Sequence, residues 1–228
     1  PSAQKRMIRK CRTAAKPVIV ATQMLESMIE SPMPTRAEVS DVANAIYEGT
    51  DAIMLSAESA AGQYPIEAVR TMNNVAMEVE CDPNYTEIIE ASRRIDHSTV
   101  ADGIVSAARE IAEKTDVKAI CCYSESGTTA LRVARERPRV PIIALTTKPK
   151  TAGRLCLSWG VNTVMSGEVD RFKTAVIYAV RAAKAEGLAT EKDMVVVTAG
   201  VPFNTPGSTN ILRVAPCEER LIHSSETE

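Results

Sequence analysis

Residues 17–28 read Pro17-Val18-Ile19-Val20-Ala21-Thr22-Gln23-Met24-Leu25-Glu26-Ser27-Met28. Val18, Ile19 and Val20 form a continuous β-branched run, the pattern of a strand buried on both faces of a parallel sheet. The run stops at polar Thr22 and Gln23. Ligands of α/β folds sit beyond the carboxyl ends of parallel strands, a rule that (β/α)8 barrels follow closely. Two readings of the Thr22-Gln23 step are open: a substrate-facing edge, or a strand that turns polar on reaching solvent.

Upstream, Gln4 to Ala15 predicts a basic helix with Met7, Ile8 and Cys11 as its apolar stripe, broken at Lys16-Pro17. A helix feeding a buried parallel strand reads as the later part of something larger. Downstream, Pro32-Met33-Pro34 is a rigid turn, and Thr35-Arg36-Ala37-Glu38 is a capping box. Val39, Val42, Ala43, Ile46 and Tyr47 share one helical face. Gly49 closes that helix, and Asp51 to Ser56 predicts a second buried strand. A small-residue loop follows, then Pro65 opens a helix to about Val79. Residues 1 to about 80 therefore carry two consecutive βα units.

The chain of 228 residues is 45% hydrophobic and 25% charged, enough for one large or two modest cores. A net charge of −2 gives no electrostatic case for nucleic acid or an anionic membrane. No apolar run approaches the ~20 residues needed to cross a bilayer. Lys5, Arg6, Arg9, Lys10 and Arg12 spread through a helical segment, unlike a signal peptide. Cys11, Cys81, Cys121, Cys122, Cys156 and Cys217 form no Cys-x-x-Cys pair. They read as reduced thiols, mostly buried, in a cytosolic protein. Cys121 and Cys122 are adjacent in a strand and so face opposite ways. His97 and His223 lack metal-ligand spacing, so neither a transition-metal site nor a His-based triad is expected.

Residues 81–98 are polar and turn-rich, a linker with a short helix. Ser98 or Thr99 caps a helix carrying Val100, Ile104, Ala107, Ala108, Ile111 and Ala112. Strands are expected at Val117–Tyr123, Pro141–Thr146, Val161–Met165 and Met194–Thr198. Helices are expected at Thr128–Glu136, Thr151–Ser158 and Arg171–Glu186. Asn210–Ala215 is a last strand, open to an antiparallel direction. Such alternation implies an α/β domain with a mainly parallel sheet. The expected organisation is a barrel segment over 1–85, a linker over 86–97, an α/β domain over 98–217 and a frayed tail over 218–228.

Ser124-Glu125-Ser126-Gly127-Thr128-Thr129 leaves a strand and opens a helix. Hydroxyls, backbone N–H groups and the positive end of the helix dipole converge there, which suits a phosphate. It is not a Walker A loop, having no Gly-Lys-Ser/Thr step. Gly200 to Thr209, with Gly207-Ser208-Thr209, is a second candidate, and two loops at one sheet edge could share a phosphorylated ligand. A capped helix and a flexible connection are the plain alternatives. Glu125 opposes a phosphate unless a cation intervenes. Arg132, one turn into the helix, is a candidate for that cation. The electrostatics favour a ligand with one phosphate, or a sugar facing Glu125. In the first half, the hydroxyls of Thr22 and Ser56 suit positioning of a substrate or a proton-carrying water. Glu58 reads equally as a supporting catalytic group or as a carboxylate tying loop backbone together.

Three segments carry a resemblance: 16–28; 34–45, Pro34-Thr35-Arg36-Ala37-Glu38-Val39-Ser40-Asp41-Val42-Ala43-Asn44-Ala45; and 53–65, Ile53-Met54-Leu55-Ser56-Ala57-Glu58-Ser59-Ala60-Ala61-Gly62-Gln63-Tyr64-Pro65. Together they resemble pyruvate kinase, in order and without long gaps. Ser126-Gly127-Thr128-Thr129-Ala130, Arg137-Pro138-Arg139-Val140-Pro141-Ile142-Ile143-Ala144 and Gly207-Ser208-Thr209-Asn210 resemble that family's C-terminal regulatory domain.

The resemblance implies an α/β chain: the last two βα units of a (β/α)8 barrel, followed by a mainly parallel α/β sandwich domain. It implies phosphate transfer from phosphoenolpyruvate to ADP in glycolysis, giving pyruvate and ATP, with Mg2+ or Mn2+ and K+. Thr22 and Gln23 match the phosphoenolpyruvate contact near the site of enolate protonation. Ser56 matches a hydroxyl and water relay for that proton, supported by Glu58. Ser124, Ser126, Gly127, Thr128 and Thr129, with Gly207 and Ser208, match the effector loops. Relatives that respond to fructose 1,6-bisphosphate often carry a basic residue where Glu125 stands, so a sugar monophosphate or AMP is expected instead. The family's catalytic lysine, its metal ligands and its monovalent-cation site match nothing in this sequence. Two βα units cannot close a barrel, so the chain alone is expected to be inactive and to self-associate, the family being homotetrameric. An autonomous regulatory module for a sugar phosphate or nucleotide is the alternative.

Overall fold

The computed structural model describes residues 1–92, 99–203, 205, 208–218 and 220. Contacts divide the chain into two units, Pro1–Ile95 and Asp96–Glu228. His97, His223 and most of the 218–228 tail lie outside the described residues, as does Gly207.

The first unit opens with α1 (Ser2–Thr13) and β1 (Ile19–Ala21), followed by a short 3-10 turn at Glu26–Ile29. Thr35 then caps α2 (Arg36–Tyr47) through the predicted box. The Glu38 N–H donates to Thr35 Oγ1, and the Thr35 N–H donates back to Glu38 Oε2 at 2.7 Å. β2 (Ala52–Met54) runs parallel to β1, pairing Val20 with Ile53. After α3 (Ala57–Ala60) come α4 (Pro65–Cys81) and α5 (Pro83–Ala91). Leu25, Met28, Val42, Ala45, Ala68 and Met72 form the core, and Tyr85 and Ile89 bring α5 onto it.

One expectation fails at β1. A strand buried on both faces was predicted, yet Ile19 is 44% exposed and its neighbours are half-buried. Among the described residues of this unit only two strands pair, so each keeps one edge with no strand beside it. Met54 on β2 is exposed for the same reason.

The second unit contains α6 (Val100–Lys114), β3 (Val117–Tyr123), α7 (Thr128–Glu136), β4 (Ile142–Thr146), α8 (Pro149–Leu155), β5 (Val161–Met165), α9 (Phe172–Ala185), β6 (Met194–Gly200) and β7 (Thr209–Pro216). The sheet order is β5-β4-β3-β6-β7, parallel except for antiparallel β7. Helices cover both faces. Cys122, Ile120 and Ile142 pack with Val105, Ala108 and Val133 of α6 and α7. Cys121, Ile143 and Val197 pack with Ala175, Val176 and Ala179 of α9. The adjacent cysteines thus face opposite layers, as strand alternation requires.

The buried face of α6 differs from the expected one. Val100 and Ala107 are exposed, while Ala101, Val105, Ala108 and Ala112 point inward. Alanines lie all around this helix, so periodicity allowed two stripes and contact with the sheet selected one. The cysteines are all unpaired, but Cys81 and Cys156 are exposed and Cys11 half-buried, so only three of the six are buried. No described helix is long and apolar enough to cross a membrane.

Candidate functional site

In the first unit the two strand ends are joined through one carboxylate. Glu58 is 2% exposed. Its Oε1 accepts from the Leu25 N–H at 3.2 Å, and its Oε2 accepts from the Ser56 N–H at 2.7 Å. Burial pushes its pKa up, but backbone N–H groups of Glu58, Ser56 and Leu25 outweigh burial and hold it below the ordinary value. An ionised Glu58 therefore fixes the loop after β1 against the loop after β2.

Thr22 and Gln23 sit at the tip of the β1 loop, both exposed and both left-handed, with φ of 72° and 53°. The Thr22 hydroxyl donates to the Ala21 carbonyl at 2.6 Å. A β-branched residue in this region is strained by roughly 1–3 kcal/mol, and such strain concentrates at ligand sites. Ser56 caps α3 without using its hydroxyl as a cap acceptor, so the hydroxyl is left for other partners. Neighbouring Glu38 accepts from Ser27 N–H and Oγ at 2.7 and 2.6 Å. Burial raises its pKa, but bonds from Ser27 and Thr35 bring the net value down to about 2.

In the second unit the sheet order reverses beside β3: β4 and β5 extend one way, β6 and β7 the other. Loops leaving β3 and β6 part at this point, and the crevice between them is where doubly wound sheets bind ligands. A cleft of about 50 Å³ lies there, lined among others by Ser124, Ser126, Thr129, Ser208 and Thr209. Gly127 stands at the N-cap of α7 with φ of 77° and supplies no side-chain cap. No acidic residue lies in the first turn, so the amides and dipole there suit an anion. The hydroxyls of Ser126 and Thr128 are 2.9 Å apart. Ser208 Oγ donates to the Thr205 carbonyl at 2.7 Å.

The loop is held from below by α8. Thr151 Oγ1 donates to the Glu125 carbonyl at 2.8 Å, and Arg154 Nη2 donates to the Ser126 carbonyl. The expected offset of Glu125 by Arg132 is not found. Arg132 Nε lies 3.8 Å from Asp102 Oδ1 on α6. Glu125 accepts instead from Thr147 Oγ1 at 2.7 and 2.9 Å and has Lys148 Nζ at 3.7 Å. Position 132 is one turn beyond the loop, on the side of α7 that packs toward α6. Lys148, Thr151 and Arg154 were not picked out from sequence. Their signal is positional: they follow β4, whose carboxyl end neighbours that of β3. A larger groove of about 530 Å³ adjoins the cleft, sharing Tyr123, Glu125 and Phe203. Burial first, then Glu125, pushes the Tyr123 phenol pKa up.

Among the described residues no group of three His, Cys, Asp or Glu side chains could hold a metal ion.

Comparison with known proteins bears on both sites. The family model for the pyruvate kinase barrel domain matches residues 1–69, and that for the pyruvate kinase alpha/beta domain matches residues 102–215. A pyruvate kinase of Methylorubrum extorquens is 49% identical over 215 residues, covering 94% of this chain and 45% of the relative. One from Geobacillus stearothermophilus is 46% identical over 214 residues, covering 94% and 36%. A crystal structure of a pyruvate kinase from Cryptosporidium parvum matches with a TM-score of 0.85 at 37% identity, covering 95% of this chain and 43% of that one. The chain thus spans under half the length of these relatives. Its first unit is a barrel segment and its second an alpha/beta domain of that kind.

Proposed function

Because the chain belongs to the pyruvate kinase family, a family of phosphotransferases, we propose that in a protein of the relatives' length it serves phosphate transfer from phosphoenolpyruvate to ADP. The second unit is then the regulatory domain of that enzyme. The observation that carries this reading is the cleft at the sheet's switch point. A helix N-terminus whose N-cap residue, Gly127, supplies no side-chain cap stands beside a cleft of about 50 Å³ lined by Ser124, Ser126 and Thr129 and by Ser208 from the second loop.

Thr22 and Gln23 take the phosphoenolpyruvate contact near the carbon that is protonated, and Ser56 takes part in relaying that proton. Glu58 acts as a positioning residue, since both its oxygens already accept backbone N–H groups. Mg2+ or Mn2+ and K+ would supply charge neutralisation from ligands other than the residues described here. On its own the chain turns over no substrate, having two of the strands that a barrel requires. A pyruvate-formation assay coupled to lactate dehydrogenase tests this, and turnover well above background overturns the inactivity.

The effector carries one phosphate, as in a sugar monophosphate or AMP, rather than two as in fructose 1,6-bisphosphate; Glu125 beside the loop supports that choice. A thermal-shift series with glucose 6-phosphate, ribose 5-phosphate, AMP and fructose 1,6-bisphosphate tests it. No shift with any ligand rejects the site, and a preference for the bisphosphate rejects the role of Glu125. An autonomous regulatory module is the second reading, favoured by the complete two-faced core of the second unit. Exposed Ile66, Val69 and Met77 on α4 support self-association into a homo-oligomer. Six unpaired cysteines support a cytosolic protein.

A further inference from the structure

The left-handed step Thr22-Gln23 is held between two anchors. On the strand side, Ala21 pairs with Met54 of β2. On the other side Met24, Leu25 and Met28 are buried. There, carboxylates from two different helices take the backbone N–H groups of two alternate residues. The Leu25 N–H donates to Glu58 of α3 at 3.2 Å, and the Ser27 N–H donates to Glu38 of α2 at 2.7 Å. Two adjacent residues in the left-handed region persist only where their surroundings over-determine them. Glu38 does more here than a capping box requires. Its Oε2 serves the box, accepting from the Thr35 N–H at 2.7 Å and from Thr35 Oγ1 at 2.9 Å. The same oxygen accepts from Ser27 Oγ at 2.6 Å, and Oε1 takes the Ser27 N–H. Both donors of Ser27 thus end on one carboxylate 11 positions away in sequence.

The bonds to Thr35 start a helix. The bonds to Ser27 reach across to the loop that carries Thr22, and the helix does not need them. Hydrogen bonds to a carboxylate are shorter and stronger than neutral ones, so they suit a loop that must hold one backbone shape. A displacement of about 1 Å at a group that contacts substrate can cost about a hundredfold in rate. We propose that Glu38 is a positioning residue of the phosphoenolpyruvate site, setting the backbone of Thr22 and Gln23 through Ser27. The inference rests on the reading of Thr22 and Gln23 as the contact near the protonated carbon. Glu38 itself touches no reacting atom: its oxygens are occupied by Ser27 and Thr35.

Two measurements test it, each on Glu38→Gln beside Thr35→Ala, which removes the helix cap and keeps the bonds to Ser27. The first reads the Cα and Cβ chemical shifts of Thr22 and Gln23 by NMR in the 228-residue protein. Glu38→Gln is expected to move both residues away from left-handed shifts, and Thr35→Ala to leave them in place. Unmoved shifts in Glu38→Gln, or an equal change in Thr35→Ala, overturn the proposal. The second uses the whole enzyme, a protein of the relatives' length that carries these residues. A site that protonates the enolate also removes a methyl proton from pyruvate in reverse; in heavy water a C–H bond breaks and a C–D bond forms. Deuterium uptake into the pyruvate methyl group should fall at least about tenfold in Glu38→Gln with the KM for ADP unchanged, and stay near the unaltered rate in Thr35→Ala. Undiminished uptake in Glu38→Gln overturns the proposal. No uptake by the unaltered enzyme overturns the substrate reading instead, and the shifts then decide the role of Glu38 alone. Should Glu38→Gln fail to fold, Ser27→Ala, which removes only the hydroxyl bond, is read in the same two ways; unchanged shifts and uptake there overturn the proposal.

Discussion

Thr129 Oγ1 and Thr209 Oγ1 stand 2.6 Å apart, each almost fully buried. One belongs to the first turn of α7, the other to the first residue of β7, and 80 positions separate them in sequence. This hydroxyl pair bolts the helix that opens at the phosphate loop to the strand that closes the cleft. Thr129→Val should leave the Thr209 hydroxyl buried without this partner and cost about 1–3 kcal/mol, and Thr209→Val should cost the same. The double variant should be milder than the sum, because both polar groups then leave together. Denaturant unfolding of the four proteins measures this, and strict additivity would refute a direct bond.

Gly127 is required twice over. Its φ of 77° strains any other residue, and an added methyl would lie 3.1 Å from both Thr151 Cγ2 and Leu155 Cδ2. Gly127→Ala is expected to destabilise the second unit by about 1–2 kcal/mol and to lower phosphate affinity. Unchanged affinity for AMP in this variant would remove the loop from the binding site.

Charge at position 125 should set the number of phosphates accepted. Glu125→Lys replaces a carboxylate held by Thr147 with a cation at the junction of cleft and groove. Affinity for fructose 1,6-bisphosphate should rise about tenfold relative to AMP, and the gain should shrink in high salt. Competition titrations at two ionic strengths provide the check; a ratio that does not move removes Glu125 as the selector.

The first unit should lose stability in acid. The folded pKa of Glu38 is about 2, below its ordinary 4.5, so its contribution is complete above pH 4.5. Protonation removes that contribution progressively between pH 4.5 and about 2. Glu58, also depressed, adds to the loss in the same direction. Glu38→Gln should lower stability at pH 7 and flatten its fall from pH 4.5 to 3, as read by thermal melts across that range.

Much of the fold was legible because its signals are local. The strands Val117–Tyr123 and Val161–Met165 and the helix Thr128–Glu136 lie where apolar runs and turn residues put them. The start of α2 follows from a capping box within four residues. The stripe of α6 was misread because alanine is apolar yet small enough for either face. Arg132 was misassigned because its partner, Asp102, stands thirty positions upstream on another helix.

The sequence by itself determined the alternation of strands and helices, the family, and the residue types at each strand end, because propensity, capping and motif spacing act over short stretches of chain. Only the tertiary structure decided which strand ends meet. The reversal of sheet order beside β3 brings Ser124, Ser126 and Thr129 together with Thr205, Ser208 and Thr209, and the β4 end sets Thr147 and Lys148 against Glu125. Contacts of that kind depend on strand order and helix packing, which the whole core fixes and no local stretch encodes.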